Sequence, residues 1–294
     1  MNNIKLTIVV LITACIIHLA GTSLWAQDNA LEQVLDQARQ AGIEEAEIQQ
    51  LRDRAGQRGI SGEEILRILN PAIQMAEQNL PHDIIVQKAL EGFAKGVTPG
   101  RIIPVLENMR GQILQSSGIV DPWVQRERVR NFIGGVEGDR QNFRNEMIKA
   151  GMKTMSQSEG QAMLQSVLQN VEEKGVLDKT SPPALLSAVN IIPDLPDAAR
   201  RPDQVSGLIT EALNRGFRAN ELQALPVAMQ AAQRRSQLPA ASVLEGITNQ
   251  MKNGIPAEQI LQNLFNGNIS AGPPGNIPRG LENRPDRGKG RGGN

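Results

Sequence analysis

The sequence predicts an all-α protein built from short helices that fold back on one another as αα-hairpins. Two features of the sequence lead to this prediction. Signals that stop one helix and start the next recur along the chain, and aromatic residues make up only 2% of the 294 residues, with no tyrosine. Strands favour aromatic and β-branched side chains. A core of Leu, Ile, Val, Met and Ala is more typical of helices packed on helices.

An internal duplication is the second prediction, because much of segment 58–110 recurs in segment 215–267. Three positions punctuate each copy: Gly59, Asn79 and Gly96 in the first, and Gly216, Gln237 and Gly254 in the second. The steps between them are 20 and 17 residues in the first copy and 21 and 17 in the second. Self-similarity of this kind is typical of repeat-like helical scaffolds.

Each punctuating residue is followed by apolar residues one and six positions later. These pairs are Ile60/Ile65, Leu80/Ile85, Val97/Ile102, Phe217/Leu222, Leu238/Val243 and Ile255/Ile260, with Ile43/Ile48 after Gly42 as an earlier instance. If the residue two positions after the punctuating one is the N-cap, this is the spacing of a hydrophobic staple. A glycine or asparagine before it suits the left-handed residue that ends a helix. Each mark therefore predicts a helix end followed at once by a new helix.

Local signals place further helix ends. Ser61 with Glu64 predicts a capping box, and Ser156 with Glu159 predicts a second one. We expect one helix from Pro99 to Ser116 and another that begins after Asp121, with Pro122 as its first residue. Three prolines, Pro71, Pro104 and Pro226, fall inside helical patterns, and for Pro71 and Pro226 we expect a kink or a break.

These signals divide the chain into five predicted parts. They are a signal peptide (1–26), an N-terminal repeat block (27–117), a middle helical segment (118–202), a C-terminal repeat block (203–267) and a disordered tail rich in Gly, Pro and Arg (268–294). The middle segment ends in a proline-rich stretch, 191–202, which we interpret as a linker or rigid hinge.

The N-terminus is predicted to direct export. Lys5 precedes an apolar run from Leu6 to Ala20, and small or polar residues follow up to Ala26, so we expect cleavage between Ala26 and Gln27. A retained membrane anchor is one alternative. A lipoprotein acylated at Cys15 is another, although the apolar run continues past that residue.

The composition argues against most catalytic and metal chemistry. Cys15 is the only cysteine, so cleavage after Ala26 would leave neither a disulfide nor a thiolate ligand. The one remaining histidine, His82, has no partner at helical spacing. Adjacent carboxylates such as Glu63 and Glu64 point in different directions on a helix. We therefore expect no catalytic residue, no metal site and no cofactor, with a cell-wall or carbohydrate hydrolase kept as an alternative.

The net charge is zero over the whole chain. The last 28 residues carry five basic and two acidic side chains, so the rest of the chain is slightly acidic. This balance does not indicate a nucleic-acid partner. Membrane contact is expected only through the N-terminal segment, if that segment is retained or lipidated.

One aromatic residue coincides with clustered cations. Trp123 is followed by Arg126, Arg128 and Arg130, and Trp and Arg are enriched at binding hot spots. Trp123, Arg126 and Arg130 are therefore candidate partner-binding residues, while the alternative is a core tryptophan beside a solvated basic face. Taken together, the sequence predicts an exported, non-enzymatic helical scaffold that binds a protein or polymer partner in the cell envelope. An envelope structural or lipid-anchored protein without a specific ligand is the main alternative.

Overall fold

A computed structural model describes residues 32–197 and 200–269, and it confirms the all-α prediction. Every regular element in these ranges is helical, and none of the described residues forms a strand. The first six helices are α1 (residues 32–40), α2 (Glu45–Gln57), α3 (Gly62–Glu77), α4 (Asp83–Ala94), α5 (Pro99–Val124) and α6 (Glu127–Ile133). The others are α7 (Glu137–Met155), α8 (Gly160–Glu173), α9 (Pro182–Asn190), α10 (Pro202–Asn214), α11 (Ala219–Ser236), α12 (Ala240–Lys252) and α13 (Ala257–Asn266). Two 3₁₀ turns, Val176–Asp178 and Ile192–Asp194, flank α9.

The described residues form two compact units, and two of the three boundaries between them fall inside helices, α5 and α7. Unit 1 contains the described residues up to Pro122 together with Arg144–Ser156, and unit 2 contains Trp123–Phe143 and the described residues from Gln157 onward. The predicted blocks 27–117, 118–202 and 203–267 are divisions of the sequence. The compact units divide the chain at other positions.

In unit 1, α4 packs against both α2 and α3. The amphipathic α3 shows why, since its buried side chains, among them Ile65, Ile68, Leu69 and Ile73, recur at helical spacing and form one apolar stripe. The start of α5 closes on α4 at a glycine. A Cβ placed on Gly92 would lie 2.9 Å from Cδ1 of Ile102, so Ile102 fills the space that a side chain would need.

Polar contacts hold the second part of α7 within unit 1. Arg144 makes a two-pronged ion pair with Asp121, at 2.6 and 2.9 Å, and also donates a hydrogen bond to the carbonyl of Asn79 at 2.8 Å. Only 15% of the Arg144 side chain is exposed. Two parallel N–H···O bonds fix geometry as well as charge. Arg144 therefore ties α5 and the end of α3 to α7.

In unit 2, α10 packs against α8 and α12, and α11 packs against α9, α12 and α13. α11 is thus surrounded on several sides, and Leu222, Leu225 and Met229 are buried along its inner face. Near α6 and α7, the rings of Phe132 and Phe143 meet edge to face, with centroids 6.3 Å apart.

The predicted helix restarts are confirmed junction by junction. All six punctuating residues have a positive φ, between 55° and 77°, and Gly42 has a φ of 92°. At Gly59, for example, the next amide, that of Ile60, donates a hydrogen bond to the carbonyl of Ala55 at 3.0 Å, which is the longer bond of a Schellman motif. The residue six positions after each mark is buried in every case. The residue one position after is buried at Ile43, Leu80 and Phe217 and half-buried at the other four marks.

The first predicted capping box is confirmed. The amide of Glu64 donates to the Ser61 hydroxyl at 3.3 Å, and the Glu64 carboxylate accepts from the Ser61 amide at 3.1 Å. The second capping box is wrong. The Ser156 hydroxyl donates instead to the carbonyl of Lys153, and Glu159 takes a positive φ of 61° immediately before α8. That serine therefore satisfies the end of α7 rather than the start of α8.

The predicted helix start after Asp121 is also wrong. α5 continues from Pro99 to Val124, with Pro122 inside it. The carboxylate of Asp121 is held by Arg144 in its ion pair. Two other prolines also lie inside continuous helices. α3 runs through Pro71 and α11 runs through Pro226 without the break that was one of the two expectations.

The segment interpreted as a linker or hinge is packed where the structure describes it. Ile191, Ile192 and Leu195 are all at most 3% exposed. The turn Ile192–Asp194 lies within unit 2. This segment therefore contributes side chains to the core of that unit.

The two copies of the predicted duplication share local features. Arg58 and Arg215 each lie directly before a punctuating glycine. The side chain of each extends to the end of the second helix after that glycine. A guanidinium nitrogen of Arg215 donates to the carbonyl of Lys252 at 3.0 Å, and one of Arg58 lies 3.4 Å from where a Cβ on Gly96 would stand. A cation is favourable at a helix C-terminus. These matches concern single junctions, and the duplication itself stays a prediction.

Several sequence predictions fall outside the described residues. They concern the signal peptide (1–26), the cleavage site between Ala26 and Gln27, the acylation of Cys15 and the tail beyond residue 269. Among the residues that the structure describes, no helix combines the length and apolar character needed to cross a lipid bilayer.

Candidate functional site

The candidate site is a cleft in unit 2 between α11 and the chain that follows α9. It has a volume of about 400 Å³, and its lining residues are Pro193, Asp194, Arg200, Gln223, Pro226, Val227 and Gln230. The 3₁₀ turn Ile192–Asp194 supplies one wall, because its buried neighbours Ile191 and Leu195 anchor it to the core. The opposite wall is a single helix.

The α11 wall is the outer face of that helix. Gln223, Val227 and Gln230 follow one another at intervals of four and three residues, which places them on one side of the helix. The residues between them, including Leu225 and Met229, are buried on the other side. Val227 is 61% exposed, the second most exposed large apolar side chain among the described residues.

Polar groups in the cleft lack partners. Within the described part of the chain, the side chains of Gln223 and Gln230 make no hydrogen bond, and the carboxylate of Asp194 has neither an ion pair nor a hydrogen bond. A carboxamide offers two N–H donors and a carbonyl acceptor. The cleft therefore presents free donors and acceptors around an apolar centre, which is the composition of a binding site.

Arg200 is fixed in place by three interactions. Its guanidinium donates to the carbonyl of Leu195 and to the side-chain oxygen of Gln157, both at 2.5 Å, and it pairs with Asp197 at 2.9 Å. Its side chain is 23% exposed. Because Asp197 balances the positive charge of Arg200, the negative charge of Asp194 is the charge in the lining that has no ion-pair partner among the described residues.

Pro226 changes the backbone of the α11 wall. A proline has no N–H, so the carbonyl of Leu222 loses its usual helical donor four residues later. The proline ring itself is buried and lines the floor of the cleft. Beside the unpaired side chains, α11 thus carries a backbone acceptor without its helical partner.

A second concavity lies in unit 1, where α4 ends and α5 begins. It has a volume of about 480 Å³ and is lined by Lys95, Gly96, Val97, Thr98 and Arg101. Lys95 is paired with Glu91 on its own helix. Its charged residues are exposed, and its lining, unlike that of the cleft in unit 2, includes no exposed large apolar side chain. We therefore place the candidate site in unit 2.

The predicted cluster around Trp123 has a different character in the structure. Trp123 is only 3% exposed and belongs to the core, which is the alternative interpretation from the sequence. Its indole nitrogen is buried and has no hydrogen-bond partner among the described residues. Arg126 pairs with Glu172 at 2.6 Å, whereas Arg130 is exposed. The tryptophan ring is thus not available on the surface as an anchor for a partner.

The described ranges contain no group of three or more His, Cys, Asp or Glu side chains arranged to hold a metal ion. Titrating groups with altered pKa values occur outside the cleft. Burial is the main cause that raises the pKa of Glu47, with nearby Glu44 and Asp83 acting in the same direction. The carboxylate of Glu91 has its pKa lowered to about 2 by hydrogen bonds from Lys88 and Lys95.

The comparisons with known proteins give no family, function or fold by likeness. No protein-family model, no curated protein and no solved structure matches the chain.

The sequence analysis missed this cleft. A weak signal was present, because Val227 interrupts a polar face at Gln223, Gln230 and Arg234 on a helix that otherwise alternates regularly. The opposite wall could not be foreseen, since it depends on how α9 and the following turn pack against α11.

Proposed function

We propose that this protein is an exported, non-enzymatic helical scaffold that binds a protein or polymer partner in the cell envelope through the cleft on α11. The observation that carries the proposal is Val227, an exposed apolar side chain between two carboxamides and beside a carboxylate that all lack partners. Ligand sites combine an apolar lining with a small number of placed polar groups.

The lining favours binding over hydrolysis. Glycoside hydrolysis uses two carboxyl groups on opposite sides of the bond that breaks. The cleft lining includes one carboxylate, Asp194, and one cation, Arg200. Arg200 already forms an ion pair with Asp197. The other polar side chains of the lining are amides, which recognise a ligand but do not transfer protons at neutral pH.

Export is supported by the sequence of the first 26 residues, where a lysine, an apolar run and a small residue follow in the order typical of a signal peptide. We expect the protein from its native host to begin at Gln27. Intact-mass measurement of that protein tests this directly. A diacylglyceryl group on Cys15 would establish the lipoprotein alternative, and an uncleaved N-terminus would establish the retained anchor.

The binding function is tested by capture from intact host cells that are crosslinked before lysis. We expect the wild-type chain to recover a defined partner that is lost with Val227→Asp. The matched control is Val105→Asp, since Val105 is also exposed, at 44%, but lies on α5 in unit 1. If all three proteins recover the same material, or if none of them recovers a partner, the result would favour a structural protein without a specific ligand.

A further inference from the structure

The cleft on α11 has a geometry that distinguishes among partners. This inference rests on the proposed function and narrows it to one class of ligand. The starting point is the stripe formed by Gln223, Val227 and Gln230, whose two end residues are chemically identical and whose centre is apolar.

The spacing of the two glutamines matches an extended polypeptide. They are seven positions apart on α11, and a helix rises about 1.5 Å per residue, so their Cα atoms are separated by about 10.5 Å along the axis. Three residues of extended chain span about 10 Å. One carboxamide could therefore engage a backbone amide at one edge of a bound strand, and the other could engage the amide three residues further on, which faces the opposite edge because backbone polar groups alternate along an extended chain.

Carboxamides also fit a backbone chemically. A peptide group offers one N–H donor and one C=O acceptor side by side, and the glutamine side chain offers the complementary pair. A glycan can also hydrogen-bond to carboxamides through its hydroxyls, but glycan sites commonly include an aromatic side chain on which the C–H face of a pyranose ring stacks. The described lining of this cleft contains no aromatic side chain.

The centre of the stripe is apolar. Val227 stands between the glutamines, with Pro226 and Pro193 beside it in the lining. In an extended chain successive side chains point to opposite sides. A strand held at both ends by the glutamines would thus place one of its middle side chains on Val227 and the next one away from it.

The charge of the cleft indicates a cationic ligand. Asp194 is exposed and unpaired within the described residues, whereas Arg200 is paired with Asp197. One uncompensated negative charge remains at the edge of the apolar floor. A lysine or arginine side chain of the ligand would complement it.

We propose that the cleft binds an extended peptide segment that carries a lysine or arginine, with the ligand backbone along Gln223 and Gln230, an apolar side chain on Val227 and the cation at Asp194. A glycan that binds the same cleft is an outcome that would overturn this proposal.

The test uses the full-length chain and an array of hexapeptides with acetylated and amidated ends. Each peptide has one lysine at a defined position, and its other positions are randomised among residues other than lysine and arginine. A parallel set has norleucine in place of that lysine. We expect binding that depends on the lysine and on its position. Cellohexaose, which has no amide group along its length, is measured beside the array.

Four variants then probe the strongest peptide, after circular dichroism has shown that each is folded. Gln223→Ala with Gln230→Ala should weaken binding about tenfold, since each neutral hydrogen bond contributes about 0.5–1.5 kcal/mol. Asp194→Asn should weaken it about two- to fivefold and remove the preference for lysine over norleucine. Val227→Asp should abolish measurable binding. Gln262→Ala, an exposed glutamine on α13, should leave binding unchanged.

Three results would overturn the proposal. They are equal binding by the wild type and the glutamine double variant, equal binding of lysine and norleucine peptides, and binding of cellohexaose with the same dependence on Val227. A failure of all peptides while Val227 remains necessary for capture from cells would reject the peptide ligand but leave the proposed function intact. Loss of both would reject the two together.

Discussion

At the scale of single residues, the position six residues after each helix restart carries much of the packing. All seven of these side chains are buried, among them Ile102 in unit 1 and Ile260 in unit 2. Ile102 is pressed against the glycine face of α4, where a Cβ on Gly92 would come within 2.9 Å of it. The burial of these positions was predictable from the sequence, because the staple spacing depends only on local helix geometry.

Truncation of either isoleucine should therefore be costly. We expect Ile102→Ala and Ile260→Ala each to lower the free energy of unfolding by about 2–5 kcal/mol, because a buried aliphatic group is lost and a cavity remains. Gln262→Ala, on the exposed side of α13, should change it by at most about 0.5 kcal/mol. Denaturant titration followed by circular dichroism measures all three.

The two losses should be independent. Ile102 and Ile260 belong to different compact units, and residues without shared partners usually have additive effects, to within about 0.5 kcal/mol. A double variant that departs from the sum would contradict this expectation. Negligible effects of both single changes would show that the restart spacing does not mark packed units.

Lys149 shows how charge contributes at this scale. Partial burial lowers the pKa of Lys149, but hydrogen bonds to the carboxylates of Asp83 and Glu146, with the attraction of their charges, together outweigh it. The pKa thus lies above the ordinary lysine value. A raised lysine pKa means that the folded state binds the proton more tightly than the unfolded state, so the contribution is complete below the ordinary value and is lost as pH rises through the folded one.

The corresponding prediction compares wild type with Lys149→Met between pH 8 and pH 11.5. The wild type should be more stable, and its advantage should stay constant up to about pH 10 and shrink above pH 10.5, the ordinary lysine value. Lys174→Met is the control, since Lys174 is exposed and has no ion pair among the described residues. An advantage that instead shrinks as the pH falls from 10 to 8 would contradict the assigned pairing.

At the scale of helices, the turns between them are set by backbone conformation. Gly254 has a φ of 77°, and a side chain there would meet no atom within 4 Å. Any cost of a substitution at Gly254 thus comes from the left-handed conformation rather than from crowding. Gly207, inside α10, also has open space around it but does not have a positive φ.

These two glycines form a matched pair for a test. We expect Gly254→Ala to destabilise the protein by about 1–2 kcal/mol, the cost of left-handed backbone for a residue with a Cβ. Gly207→Ala should stabilise it by about 0.5–1 kcal/mol, because alanine is the better helix former. Thermal unfolding of both variants distinguishes the two effects, and a shift of the same sign in both would contradict the conformational account.

A helix end was predictable where neighbouring residues cap it. It was not predictable where a residue distant in the sequence competes for the capping side chain. Ser61 and Glu64 cap each other, so the signal is local and the prediction is confirmed. The start predicted after Asp121 is wrong, because Arg144, 23 positions later, takes that carboxylate for an ion pair. Spacing in the sequence does not reveal such a competitor.

At the scale of the whole molecule, the fold class was predictable from the sequence and the candidate site was not. The all-α class follows from composition and periodicity, which are properties of the chain itself. The cleft requires α9 and the turn after it to pack against α11, and long-range packing of this kind leaves little trace in a single sequence. The candidate named from the sequence was Trp123, where a rare aromatic residue lies near arginines, and the structure places that ring in the core, which was the alternative interpretation.

The central claim is that a partner binds at the outer face of α11. The most direct measurement introduces a photo-reactive amino acid at position 227, and separately at position 105 in unit 1, and irradiates intact host cells. We expect a discrete crosslinked species from position 227 that becomes weaker when Gln223 and Gln230 are also changed to alanine, and none from position 105. Equal crosslinking from both positions, or none from position 227 in cells that contain the mature protein, would contradict it.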